Sequence, residues 1–195
     1  MARKDRFMAF DEAAKRGPFD EFPMFPPGID PQIHVSRNDR AQPFHLICEH
    51  DTVLVNMSGE GRVEFPDGPV RYHPLVPGDF VYVPGGTAHR ILPDGECVQL
   101  RYRAENPGLE AVAWFCESCG GEIARDVWDT VSELPQEGYL RACTWFNDEA
   151  ARRTCDGCGQ LHPEIDLGPF QWESVAAEIR QDLAKAAEKA AKTAG

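Results

Sequence analysis

The sequence predicts a mainly β protein, a sandwich or barrel of short strands, on three observations. Between Gln32 and Arg103, eight β-prone runs follow one another: Gln32-Val35, Phe44-Cys48, Thr52-Met57, Gly61-Phe65, Val70-Tyr72, Asp79-Val83, Ala88-Leu92 and Val98-Arg103. Turn-forming clusters separate them at Ser58-Gly61, Pro66-Pro69, Pro77-Gly78, Pro84-Gly86 and Pro93-Gly95. No helical apolar period interrupts the series, and short strands at this spacing close into a two-layer or barrel architecture.

The chain divides around that core into four stretches. Residues 1–31 form a charged, proline-rich arm in which Phe10-Arg16 suits two helical turns, stopped at Gly17-Pro18. Pro23, Pro26, Pro27 and Pro31 then forbid regular structure, so the arm wraps over the barrel or joins a subunit interface. Residues 32–110 hold the strands, and residues 111–168 a cysteine-bearing segment. Its Val127-Leu134 and Leu140-Phe146 read as a helix-plus-strand or two-strand insert turning at Pro135-Gly138. Residues 169–195 end the chain in a helix from Ser174 onward, with Val175, Ile179, Leu183 and Ala187 at four-residue steps on one apolar stripe.

Composition narrows the class. The formal net charge of -12, from 20 basic and 32 acidic residues, argues against nucleic acid or an anionic membrane as partner. No apolar run is long enough to span a membrane, and no signal-peptide core follows the N-terminus, so a cytoplasmic protein is expected. Seven cysteines, four of them in two Cys-x2-Cys pairs, point in a reducing compartment to metal or redox chemistry rather than to disulfides. Cys97 and Cys143 stand in apolar company and read as core residues. His34 and His73 lack partner spacing and read as ordinary surface or interface residues.

The phrase Gly78-x5-Pro84-x-Gly86-x2-His89 joins an alternating strand, a tight turn and a histidine. It resembles the second conserved motif of the cupins, in which the histidine ligates a metal inside a small jelly-roll barrel. The matching upstream motif is sought in His45-Leu-Ile-Cys48-Glu49-His50-Asp51-Thr52 and the run to Gly59. Counting forward from His45, five residues intervene before Asp51, the spacing of a histidine and carboxylate pair. Counting back six from Gly59 lands on Thr52. The counts differ by one residue, which in a strand reverses the face. Either a β-bulge turns Asp51 to the metal, or the site draws on Glu49 or His50, or it is incomplete. Two histidines and one carboxylate on one face are the ligands of non-haem Fe(II) oxygenases.

Cys116-x2-Cys119 and Cys155-x2-Cys158 lie 35 residues apart, each followed by glycine. Four thiolates at such spacings bind Zn or a single Fe tetrahedrally, which leaves no open position and makes the role structural.

The barrel motif followed by Trp114-Phe-Cys-x2-Cys-Gly and ending in Cys155-x2-Cys-Gly-Gln-Leu-His162-Pro163 resembles bacterial-type 3-hydroxyanthranilate 3,4-dioxygenase over roughly residues 30–163. The resemblance implies a catalytic Fe(II) in the barrel on His45, Asp51 and His89, and a rubredoxin-like second Fe or Zn on Cys116, Cys119, Cys155 and Cys158. It implies as substrates an aromatic acid with adjacent amino and hydroxyl groups, and O2, both of whose atoms are inserted as the ring opens. Arg40 stands near the place of a family arginine. Arg101 aligns where the family has a substrate-contacting glutamate, so either arginine is expected to hold a substrate carboxylate. The alternative expectation is a cupin that keeps the fold and the four-cysteine metal without oxygenase chemistry. The arm and the added helix favour a homodimer.

Overall fold

The computed structural model describes residues 7 to 193, so the first six residues of the arm and the last two of the terminal helix lie outside the described residues. In chain order the elements are α1 (Ala9–Ala13), β1 (Phe22–Pro23), β2 (Gln32–Asn38), β3 (His45–Cys48), β4 (Thr52–Glu64), β5 (Tyr72–Leu75) and β6 (Phe80–Val83). There follow β7 (Arg90–Arg103), β8 (Leu109–Phe115), β9 (Glu122–Asp129), α2 (Pro135–Asp148), a short 3-10 turn Ala150–Arg153, and α3 (Trp172–Thr193). The strands form two antiparallel sheets, β1-β2-β7-β4-β5 with β6 on β4, and β3-β8-β9. This is the expected mainly β architecture of two packed sheets, with the cysteine segment and terminal helix appended.

Two strands are longer than the turn signals imply. The runs before and after Ser58-Gly61 are one strand, β4, and those before and after Pro93-Gly95 are one strand, β7, and these two pair along most of their length. The glycines serve close approach and bulging rather than reversal. Gly59 has φ of +75°, and a Cβ there would sit 2.2 Å from Glu96 O; one at Gly61 would sit 2.5 Å from Leu92 O. The ladder register shifts between Asn56 and Ser58 and again between Ser58 and Glu60, which marks the bulged stretch. The stretch Pro135-Gly138 likewise does not turn but opens α2. Proline is preorganised at a first helical position, and the Glu137 side chain accepts from Leu134 N at 2.7 Å.

Period-2 alternation sorts the side chains of the large sheet. Leu54, Val81 and Val83 face the interior with Leu46, Val112 and Trp114 of the small sheet. Val35, Val55, Val98 and Leu100 face outward and are covered by Ala13 of α1, Phe22, and Val175 and Ile179 of α3. Phe80 and Tyr82, the other half of the β6 alternation, are exposed. β8 pairs with β3 on one side and β9 on the other. The sequence division at residue 110 therefore falls inside a strand shared by barrel and cysteine segment. Cys97 and Cys143 are fully buried, as expected of core residues.

Gly59→Ala should lower stability by about 2–4 kcal/mol, because both the positive φ and the backbone of β7 oppose a Cβ there. Urea unfolding of the two proteins at neutral pH measures it.

Candidate functional site

His89 is delivered to the interior by the turn that precedes it. Gly85 packs so closely on the β3–β4 connection that a Cβ would lie 2.3 Å from Glu49 O, and Gly86 adopts φ of +76°. Gly86 N donates to Cys48 O at 2.8 Å, Leu46 N to His89 O at 2.7 Å, and His89 N to Leu46 O at 3.0 Å. These bonds join the two sheets and place the His89 ring, which is fully buried, on the interior face that Leu46 shares. The ring makes two hydrogen bonds: Nδ1 to Thr87 O at 3.1 Å and Nε2 to Arg101 Nη1 at 2.8 Å. A carbonyl only accepts and a guanidinium only donates, so the proton sits on Nδ1 and Nε2 presents its lone pair. Burial, reinforced by the Arg101 cation, pushes the imidazole down to about 3 and keeps it neutral.

The other two residues expected beside it face elsewhere. In β3, Leu46 and Cys48 take the interior positions; His45 and Ile47 take the opposite face, with Ala111 and Ala113 of β8. The His45 ring meets Phe115 edge-on at 4.9 Å, and burial, then Arg90, pushes it down to about 3. Asp51 is exposed in the β3–β4 turn, where it accepts from Tyr82 Oη at 2.7 Å and Gly85 N at 2.8 Å. Thr52, not Asp51, opens β4 facing inward; it is buried and accepts from Arg101 Nη1 at 3.4 Å. The count back from Gly59 thus gives the register that forms, and no bulge turns Asp51 inward. Glu49 and His50 are exposed as well, and Glu49 Oε2 accepts from Leu109 N at 2.6 Å. Arg40 lies on the surface paired with Asp39. Of the expected barrel residues, only His89 and Arg101 come together.

The interior polar cluster contains residues the sequence did not flag. The arm threads Glu21 between the sheets, where it accepts from Arg101 Nε at 2.7 Å, Arg103 Nη1 at 3.4 Å and Tyr139 Oη at 3.3 Å. Burial alone raises a carboxyl, but the two guanidinium groups outweigh it and hold Glu21 at about 2. Arg103 also pairs with Glu110 of β8, and approaches His34 Nδ1 at 3.4 Å. Gln99, Arg101 and Arg103 alternate along the inner face of β7, a legible period-2 polar stripe. Glu21 had no such signal, because its partners are 80 residues away.

An iron centre of two histidines and a carboxylate does not fit this interior. Of the three expected ligands only His89 faces it, Asp51 lies outside and His45 on the opposite face of β3, and a guanidinium holds the free nitrogen of His89. Among the described residues, the cluster of His, Cys, Asp or Glu that does suit a metal is the four cysteines. All four sulfurs lie within 4.8 Å of one another, with Cys116 to Cys158 and Cys119 to Cys155 each 3.5 Å apart. The two halves repeat one geometry. Gly120 N donates to Cys116 O and Gly159 N to Cys155 O, both at 2.8 Å, and both glycines adopt φ near +75°. Backbone N–H groups of Cys119 and Ser118 pull the Cys116 thiol down to about 6, which favours the thiolate that a metal takes. Four sulfurs would fill a tetrahedral shell and leave no open position for a substrate.

Cys155→Ser should abolish tight metal retention at that cluster and lower Tm by on the order of 10 °C, read by metal analysis and a thermal melt. The histidines set a pH trend. In the folded chain His45 and His89 titrate near 3, against 6.5 for a free imidazole. Their contribution to stability is therefore complete above about 6.5 and lost as pH falls toward 3. His45→Gln should flatten that acid loss in urea unfolding followed against pH.

No protein-family model matches the chain. Curated relatives do. The chain is 31% identical over 114 residues to a 3-hydroxyanthranilate 3,4-dioxygenase of Cupriavidus pinatubonensis, covering 55% of this chain and 54% of the relative. It is 30% identical over 132 residues to the enzyme of that name in a Jannaschia species, covering 65% and 66%. The matches thus span from about half to just under two thirds of those relatives' own length. Among solved structures, a Klebsiella pneumoniae protein with a double-stranded β-helix domain overlaps 56% of this chain and 98% of its own, at 19% identity and a TM-score of 0.43. A likeness that loose says nothing of the site. By its sequence the chain is similar to curated 3-hydroxyanthranilate 3,4-dioxygenases over part of their length.

Proposed function

We propose that the chain acts on 3-hydroxyanthranilate or a related amino- and hydroxy-substituted aromatic acid, as a non-haem ring-cleaving dioxygenase using O2. The observation that carries this reading is the sequence likeness to four relatives of that name. In it the sandwich interior is the substrate site, and Arg101 takes the acid's carboxylate in a charge-assisted hydrogen bond. The closed interior keeps bulk water from reactive intermediates. Iron would need Arg101 to leave His89 and further ligands to be recruited.

A second reading is favoured by the hydrogen bond from Arg101 to His89, by the burial of His45 on the opposite face of β3 and by the exposure of Asp51. The protein then keeps an aromatic-acid site and the four-cysteine metal, Fe or Zn, without oxygen chemistry. On the interior geometry alone this second reading is the stronger. Both readings include a cytoplasmic homodimer. Seven free cysteines support the reducing compartment, and the exposed Phe80 and Tyr82 on β6 support association.

Oxygen uptake on 3-hydroxyanthranilate by protein supplied with Fe(II) separates the two. The first reading expects uptake, abolished in His89→Ala. The second expects none, but saturable binding of the acid that Arg101→Gln weakens at least about tenfold. Neither uptake nor binding would overturn both.

A further inference from the structure

The three residues that meet at the centre of the sandwich differ in origin: His89 follows the β6 turn, Arg101 lies mid-way along β7, and Glu21 comes from the arm. His89 has the arrangement of a metal-ligating histidine. Its Nδ1–H is fixed on a backbone carbonyl, which sets the tautomer and aims the Nε2 lone pair inward. That lone pair is already taken, by Arg101 Nη1 at 2.8 Å. A nitrogen lone pair accepts one strong partner, so a guanidinium and a metal ion exclude one another there.

Arg101 is not placed by chance contact. It is 2% exposed, its Nε donates to Glu21 Oε1 at 2.7 Å, and its Nη1 also reaches Thr52. Glu21 is held in turn. Gln136 of α2 donates to Asp20 O and Glu21 O, and Tyr139 donates to its carboxylate. Its backbone has a φ of 43°, and that of Phe19 a φ of 55°, a conformation that non-glycine residues keep only when the surroundings impose it. The register supports the same conclusion. The two interior positions that flank the β3–β4 turn are Cys48 and Thr52, neither a carboxylate nor an imidazole.

We infer that the interior of this protein is built around a fixed guanidinium in place of a metal ion, with Arg101 the residue that keeps metal off His89 and Glu21 the residue that positions it. The inference rests on neither reading of the activity. It concerns the occupancy of His89, whatever the bound acid undergoes.

The experiment takes the full chain with its four cysteines loaded with zinc, and follows His89 by nitrogen-15 NMR while Co(II) is added anaerobically. The expected result is an Nδ1–H tautomer, a coupling across the hydrogen bond from Arg101 Nη1–H to His89 Nε2, and a His89 signal that excess Co(II) leaves unmoved. In Arg101→Gln the same Co(II) should shift or broaden His89. In Glu21→Gln the coupling should weaken, and Glu21→Asp should restore it in part. A wild-type chain whose His89 responds to Co(II) overturns the inference, as does the absence of the coupling. Should Arg101→Gln fail to fold, the coupling and the Co(II) titration of the wild-type chain decide the question without it. Oxygen uptake is read separately, so loss of the dioxygenase reading and loss of this inference remain distinguishable.

Discussion

The buried ion pair between Arg101 and Glu21 is the constraint on which the rest of the molecule depends. An unpaired charge taken out of water costs several kcal/mol, so Arg101 in the interior requires an anion beside it. β7, the strand that carries Arg101, is paired on both sides and has no room to supply one. The arm supplies it, and delivery of Glu21 makes the arm part of the core rather than a covering. Asn38 Oδ1 accepts from Phe19 N at 2.7 Å, and the Trp172 indole donates to Phe19 O at 3.1 Å. The docking of one carboxylate thus recruits β2, α2 and the start of α3.

The helices approach because small residues and aromatic faces allow it. Gly138 of α2 lies under the Trp128 ring, where a Cβ would sit 2.5 Å from the indole. Tyr139, one residue on, packs against Phe44 and Trp172 while its hydroxyl reaches Glu21. Phe146 stacks on Trp114 at 4.0 Å, so α2 seals the small sheet and the polar cluster together. Beyond it, the second cysteine knuckle returns the chain to the end of β8, where Cys116 waits. The second cysteine pair therefore closes on the end of β8 that leads into Cys116.

Family likeness and site geometry point in different directions here, and the reason is local. The segment from His45 to Thr52 is one residue longer than the alternation can absorb with both ends facing in. The fold keeps Thr52 inward, since β4 is held along its length by β6 and β7. Cys48 and Leu46 then face the interior, and His45 must face away. A histidine and a carboxylate at family spacing in the sequence consequently part, His45 buried on the far face of β3 and Asp51 exposed in the turn.

The sequence by itself determined the mainly β class, the turn that presents His89 and the four-cysteine cluster. These are local signals: alternation, glycine and proline at a tight turn, and pairs of thiols two residues apart. It also carried the polar stripe Gln99, Arg101 and Arg103. Three other features were decided by the tertiary structure. Whether Ser58-Gly61 turns or bulges depends on how near β7 runs, and which of Asp51 or Thr52 faces inward depends on the partners of β4. The third, Glu21 as the partner of Arg101, joins residues 80 apart through an arm with no regular period. Register and long-range charge pairing are properties of two segments at once, so no single stretch of sequence contains them.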